Sequence, residues 1–86
     1  MLESIITYVK KKYDWSDQYI KAVIFEYERF LYIKSLYTDI FPPDPIDQFW
    51  QTHILYTEDY YNYCMDKFDK LIHYIPDMNL DYKDKQ

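Results

Sequence analysis

The sequence predicts an all-α fold, a small single-domain bundle of about four helices. Apolar residues recur at helical spacing in four segments, and helix-breaking clusters at 14–17 and 42–45 separate the first three of them. The chain has 86 residues, which is enough for one hydrophobic core but not for two. We expect an N-terminal helix within residues 1–13 to dock on a helical core domain of residues 14–76, with residues 77–86 as a flexible C-terminal tail.

Two helices are predicted before the proline-rich turn. The first runs from residue 2 to about residue 12, and it must dock on the rest because an isolated helix of this length is marginal. Either Ser16 or Asp14 caps the second helix, which runs from Asp17 to about Tyr37 and is predicted to be the longest and the central one. Its apolar stripe consists of Ile20, Val23, Ile24, Tyr27, Phe30 and Leu31, with Lys34 at its end.

Other large apolar side chains of this second helix fall outside the stripe, and they are Tyr19, Phe25, Tyr32, Ile33 and Leu36. A helix that is apolar on more than one side is usually buried between neighbours or reserved for a partner. A chain of this length cannot cover every face of its longest helix. The pattern therefore predicts either an interaction surface or additional core packing on this helix.

The third helix is predicted to follow a rigid loop at residues 38–45, in which prolines remove backbone donors. It runs from Ile46 to Tyr56, and its apolar stripe consists of Ile46, Phe49, Trp50, His53 and Ile54. Asp47 and Gln51 lie one turn apart on an adjoining face, so their side chains can meet.

A fourth helix is predicted from Glu58 to about Lys70. Thr57 is expected to be its N-cap, because a threonine hydroxyl can accept a hydrogen bond from a backbone N–H of the first turn. The apolar face of this helix consists of Tyr60 or Tyr61, Cys64, Met65, Phe68 and Leu71. His73 follows the helix, and Pro76 closes the segment of residues 44–76, which contains the third and fourth helices.

Composition and charge exclude several classes of protein. The net charge of −5 disfavours binding to nucleic acid or to an anionic membrane, because both depend on a positive surface. One cysteine cannot form an internal disulfide, and we expect neither a signal peptide nor a membrane span. An intracellular location is therefore expected, in the cytoplasm of the source or host cell.

Residues of differing chemistry recur in a fixed order and spacing between about Asp14 and Pro76. They are Asp47, Trp50, His53-Ile54-Leu55, Thr57, Tyr60, Cys64, Phe68, Ile72-His73 and Pro76, and upstream Trp15, Ala22, Tyr27 and Phe30-Leu31. In this pattern the chain resembles the glycine-rich domain-containing-protein-like family. The chain departs from the family pattern at Gln51 and Tyr74, where histidines are expected, and at Asp69, where the pattern has a glycine. The resemblance implies a helical domain.

The amino-acid usage indicates an AT-rich genome, such as that of a large DNA virus, a parasite or a low-GC bacterium. Lysine outnumbers arginine nine to one, glycine is absent, and Tyr, Ile and Asp are abundant. A compact copy of the family's domain without a glycine-rich tail fits a viral source best. The sequence thus predicts a viral protein, with the virion as a further location.

Two histidines and a carboxylate suggest an alternative function, a metal-binding module or a metal-dependent enzyme. Asp47, His53 and His73 supply two nitrogens and an oxygen, a ligand set suited to Zn or Fe. We expect the three residues to converge, either as a hydrogen-bonded clasp between the ends of the segment or as a metal site. His53 can equally be a core histidine that is hydrogen-bonded to a carboxylate or a carbonyl.

The leading prediction is a non-enzymatic protein-interaction or structural module with a tyrosine-rich, acidic helical surface, acting in a viral assembly. No catalytic residue and no cofactor is assigned, because no glycine-rich turn offers an oxyanion hole or a phosphate cradle. The expected partner is another protein or a second copy of the chain, with no nucleic acid and no membrane. The residues expected to build the structure or the interaction surface are Trp15, Tyr27, Phe30, Trp50, Thr57, Tyr60, Cys64 and Phe68.

Overall fold

The computed structural model describes residues 2–74 and confirms the all-α prediction. Its helices are α1 (Glu3–Tyr13), α2 (Asp17–Leu36), α3 (Asp44–Leu55) and α4 (Thr57–Phe68), and the described part of the chain contains no strand. The predictions for Pro76 and for the tail at 77–86 lie outside the described residues. None of the helices within residues 2–74 is long and apolar enough to cross a membrane.

Helix α1 ends as its sequence dictates. Ile5 and Val9 are completely buried, which docks the helix on the core as predicted. At its C-terminus Asp14 adopts the left-handed conformation, with φ 57°. The Asp14 N–H donates a hydrogen bond of 3.0 Å to the Lys10 carbonyl oxygen. Asp can occupy this conformation in a chain without glycine because its short polar side chain tolerates positive φ. Lys10 also forms an ion pair at 2.9 Å with Asp17, which joins α1 to the start of α2.

Helix α2 starts at a side-chain cap. The Ser16 hydroxyl accepts a hydrogen bond of 3.1 Å from the backbone N–H of Tyr19, which confirms Ser16 as the N-cap. One side of α2 faces the core, and its buried residues are Ile20, Val23, Tyr27, Leu31 and Lys34.

Removing this cap should destabilise the fold modestly. We expect Ser16→Ala to lower the free energy of unfolding by about 1 kcal/mol, because the Tyr19 N–H loses its acceptor. Urea denaturation followed by circular dichroism measures the loss. Ser4→Ala is the matched control, since Ser4 is an exposed serine inside α1 and alanine is a better helix former there. Equal losses in the two variants would contradict the capping role.

A buried lysine fixes the loop between α2 and α3. Lys34 is only 6% exposed, and its ammonium group donates to the carbonyl oxygens of Thr38 and, at 3.0 Å, Ile40. It also lies 5.3 Å from the centre of the Phe41 ring, where a cation–π contact is favourable. The loop is shorter than predicted because α3 already begins at Asp44, two residues early, with a proline in its first turn.

The connection between α3 and α4 corrects the predicted cap. Thr57 is the first residue of α4 rather than its N-cap, and no side chain caps this helix end. Tyr56 alone separates the two helices, and its N–H bonds the His53 carbonyl at 3.0 Å. Helix α4 ends at Phe68, two residues earlier than predicted, because Asp69 turns left-handed with φ 57°.

The core lies around α3, which packs against α1, α2 and α4. Helix α3, rather than the longer α2, is therefore central. The largest fully buried side chains are Trp50, Tyr27, Tyr63, Phe49, Ile5, Leu31, His53, Val9 and Cys64. The prediction for α4 missed Tyr63, although Tyr60, Tyr63 and Cys64 share the helical spacing that would have indicated it.

Candidate interaction surface

His53 is a core histidine whose partner is a tyrosine. Its side chain is fully buried, and its Nδ1 lies 2.6 Å from the hydroxyl of Tyr27 on α2. The rings of Tyr60 and Tyr63 stand nearly perpendicular to the imidazole, at 86° and 77°. Burial lowers the pKa of His53 to about 4, so the imidazole is neutral near pH 7. The partner differs from the predicted carboxylate or carbonyl.

The hydrogen bond fixes the ring proton by elimination. Within residues 2–74, the Nε2 of His53 has no hydrogen-bond partner. If the Tyr27 hydroxyl donates to Nδ1, only one polar group is left without a partner, the Nε2–H. If Nδ1 donates instead, both the hydroxyl proton and the Nε2 lone pair are left over. We therefore assign the hydroxyl as donor, and burial raises the pKa of Tyr27 so that this proton is retained.

Trp50 and Tyr60 attach the chain after α4 to the core. The indole Nε1 of Trp50 donates to the Tyr60 hydroxyl at 2.9 Å, and that hydroxyl donates to the backbone carbonyl of Ile72. Burial is the main cause of the raised pKa of Tyr60. Ile72 is itself buried. This chain of hydrogen bonds holds the end of the segment against its first helix.

A second set of hydrogen bonds makes the same connection at the surface. Gln51 donates to the Asp47 carboxylate at 2.6 Å, as their spacing predicted, and to the Tyr74 hydroxyl at 3.1 Å. Tyr74 also packs edge-on against Trp50, with ring centres 4.8 Å apart. Burial and the hydrogen bond with Asp47 raise the pKa of Tyr74. The segment ends are thus joined, and Tyr74 supplies the contact expected of His73.

Within residues 2–74, Asp47 is hydrogen-bonded to Gln51 and His53 to Tyr27, and neither is hydrogen-bonded to His73, with which they were predicted to converge. The His73 side chain is exposed, and the neighbouring Ile72 and Tyr74 make the connecting hydrogen bonds instead. Among residues 2–74, no three His, Cys, Asp or Glu side chains form a group that could hold a metal ion. Gln51 and Tyr74, the two positions where the family pattern has histidine, are hydrogen-bonded to each other.

The remaining predicted residues divide between core and periphery. Tyr27, Trp50, Tyr60 and Cys64 are buried, whereas Thr57 is exposed. The partly buried aromatic residues extend the core, and they are Phe30 against Trp50 at 5.2 Å, Phe68 against Tyr63 at 6.4 Å, and Trp15 stacked on Tyr13 at 5.0 Å. These residues hold the fold together.

The surface of interest is the outer side of α2. Six residues at alternating spacings of four and three are all exposed, and we call them the outer seam: Gln18, Ala22, Phe25, Arg29, Tyr32 and Leu36. Phe25, Tyr32 and Leu36 are each about 60% exposed. Such spacing is that of the contact positions of a coiled coil. Helix α2 therefore presents one stripe to the core and a second stripe to solvent.

An open groove adjoins the outer seam. It has a volume of about 420 Å³ and lies between α2 and the start of α3. Its lining residues are Tyr19, Ala22, Val23, Glu26, Arg29, Phe30, Ile33, Pro43, Pro45 and Ile46. The charged groups at this groove are paired locally, because Arg29 lies 3.5 Å from the Glu26 carboxylate and 5.8 Å from the centre of the Phe25 ring. The seam and the groove form one largely apolar surface.

A smaller apolar region lies around the connection between α3 and α4, away from α2 in the sequence. Leu55 is 72% exposed, and Tyr61, which is 52% exposed, lines a cavity of about 360 Å³ between α4 and residues 71–74. His73 and Thr57 contribute to the lining of this cavity. These exposed side chains provide matched controls for substitutions in α2.

Comparison with known proteins adds no relative. No family model matches the sequence, and neither a curated protein nor a solved structure resembles the chain significantly. The family resemblance therefore stays a prediction.

Proposed function

We propose that this chain is a non-enzymatic protein-interaction module that binds through the outer side of α2. The observation that carries the proposal is the exposure of Phe25, Tyr32 and Leu36 at about 60% each, on a helix whose opposite stripe already fills the core. Core packing therefore does not require these side chains. A contiguous exposed apolar patch on a small domain is typical of a protein-binding surface.

The chemistry of the surface favours a helical protein partner. The outer seam offers ridges at coiled-coil spacing, and the adjoining groove can receive large apolar side chains from a second helix. The only charged residues of the outer seam and the groove are Glu26 and Arg29, which are of opposite sign and already paired with each other. The surface consequently lacks the excess positive charge that binding to nucleic acid needs.

The hydrogen-bonded pair of Gln51 and Tyr74 supports an interaction role over metal chemistry. The Gln51 amide and the Tyr74 phenol are neutral groups, and they are already hydrogen-bonded to each other, with Asp47 as a further partner of Gln51. Soft and borderline metals such as Zn prefer imidazole, thiolate and carboxylate ligands. In the proposed function this pair closes the fold and leaves recognition to α2.

Substitutions in the outer seam test the proposal. The double variant Phe25→Ser/Leu36→Ser should still fold, because both side chains are exposed, but it should lose complexes formed by the wild-type chain about tenfold or more. Complexes are measured by capture from extracts of the source cells, with quantitative mass spectrometry, and by sedimentation for self-association.

The matched control is Leu55→Ser/Tyr61→Ser, which removes exposed apolar area of the same kind elsewhere. Thermal unfolding of both variants checks that the fold is retained. The proposal fails if the α2 variant retains every complex of the wild-type chain, if the control variant is the one that loses them, or if the wild-type chain forms none.

A further inference from the structure

The order of residues along the outer seam fits a second copy of the same helix. From Phe25 the seam continues through Arg29 and Tyr32 to Leu36, with spacings of four, three and four. Pairing Phe25 with Leu36 and Arg29 with Tyr32 gives both pairs the same midpoint, between residues 30 and 31. A two-fold axis at that point therefore brings each pair together twice.

We propose that the chain forms an antiparallel homodimer through α2, an inference that rests on the proposed interaction function. Phe25 of one copy packs on Leu36 of the other, which removes two well-exposed apolar side chains from water at each end of the contact. At the centre, Arg29 of one copy lies over the Tyr32 ring of the other, where a guanidinium and an aromatic face attract each other.

The arginine at the centre of the seam favours the antiparallel orientation. In a parallel, in-register pair, Arg29 of one copy would face Arg29 of the other at the seam, and two like charges would be brought together. In the antiparallel pair, the residues along one flank of the seam lie next to the residues along the same flank of the other copy. Glu26 then lies beside Ile33 of the other copy, and Glu28 beside Ser35, so neither carboxylate faces a like charge.

The available area predicts a weak dimer. Phe25, Arg29, Tyr32, Ile33 and Leu36 are 38–61% exposed. With ~200 Å² for a fully exposed aromatic side chain, these five residues offer ~500 Å² on each copy. The total of ~1,000 Å² lies at the lower limit for a specific interface, so we expect a dissociation constant in the micromolar range. The net charge of −5 on each copy further weakens association at low salt.

Sedimentation equilibrium of the full chain at concentrations up to about 1 mM tests the dimer. The expected result is a concentration-dependent shift towards twice the 10.8 kDa mass of the chain. Leu36→Ser should raise the dissociation constant about tenfold or more, whereas Leu55→Ser, at the more exposed leucine, should leave it unchanged. A dimer that Leu55→Ser disrupts and Leu36→Ser does not would overturn the proposal.

Disulfide trapping tests the orientation while keeping Arg29 and Tyr32 in place. Phe25→Cys and Leu36→Cys chains are mixed in equal amounts and oxidised, with the wild-type chain as control because Cys64 is buried. The antiparallel pair predicts the mixed disulfide as the main product, because the mixed dimer brings the two cysteines together at one end and keeps the contact of Phe25 with Leu36 at the other. Predominant cross-linking of Phe25→Cys with itself would indicate a parallel pair and overturn the inference.

Failure of the homodimer and failure of the interaction function give different results. A chain that stays monomeric at all concentrations, yet captures a partner protein through Phe25 and Leu36, overturns self-pairing and leaves the interaction function standing. A chain that stays monomeric and captures nothing overturns both.

Discussion

Trp50→Ala is expected to lower the free energy of unfolding by about 3–5 kcal/mol, the range for removing a large buried aromatic side chain. Trp50 is only 1% exposed and contacts the rings of Phe30 and Tyr74. Its substitution also removes the donor to the Tyr60 hydroxyl, on which the attachment of Ile72 depends. A loss of this size is a large fraction of the stability of a small domain.

Urea denaturation at pH 7 measures this loss, with Trp15→Ala as the control. Trp15 is partly buried and stacks on Tyr13 at the edge of the core, so its substitution should cost clearly less, about 1–2 kcal/mol. A loss below about 1 kcal/mol in Trp50→Ala would contradict the buried position of the indole.

Acidification from about pH 6.5 to pH 4 is expected to destabilise the protein through His53. The folded-state pKa of His53 is lowered to about 4 by burial, whereas the unfolded state keeps a pKa near 6.5. Between these values the unfolded chain binds a proton that the folded chain does not, so protonation favours unfolding. Stability is fully present above pH 6.5 and falls as the pH falls, by about 2–3 kcal/mol at pH 4.

Comparing two histidine variants isolates this effect from the titration of carboxylates. His53→Gln should lower stability at pH 7 but flatten its dependence on pH between 4 and 6.5. His73→Gln removes an exposed histidine and should retain the wild-type dependence. Urea denaturation at several pH values provides the measurement. A steep dependence that survives in His53→Gln would show that another group is responsible.

Helical periodicity predicted the architecture because each helix buries one stripe. The stripes of α2 and α3 were correct at Tyr27, Phe49 and Trp50, and Ser16 was correctly expected as a cap. The prediction that Thr57 caps α4 was wrong. A single residue, Tyr56, ends one helix and starts the next, which leaves no place for a separate capping residue. Such a tight connection depends on the packing of both helices rather than on local propensity.

The candidate site was predictable only where its contacts are local. Asp47 and Gln51 are four residues apart on one helix, and the sequence predicts their contact. The bond between Tyr27 and His53 spans 26 residues and depends on how α2 packs against α3. After α4 the chain has no helical period, so periodicity could not decide whether His73 or Tyr74 faces Gln51. The exposed seam of α2 was indicated by apolar residues outside the core stripe.

The buried ammonium group of Lys34 can serve as a chemical probe of opening in the loop between α2 and α3. An amine reagent must reach the side-chain nitrogen, whereas that of Lys34 is held against the Thr38 and Ile40 carbonyls and screened from solvent. The lysines at 10, 11, 12, 21, 67 and 70 are exposed and react directly. Acetylation of Lys34 therefore requires the loop to open first, and its rate relative to Lys21 reports the free energy of that local opening.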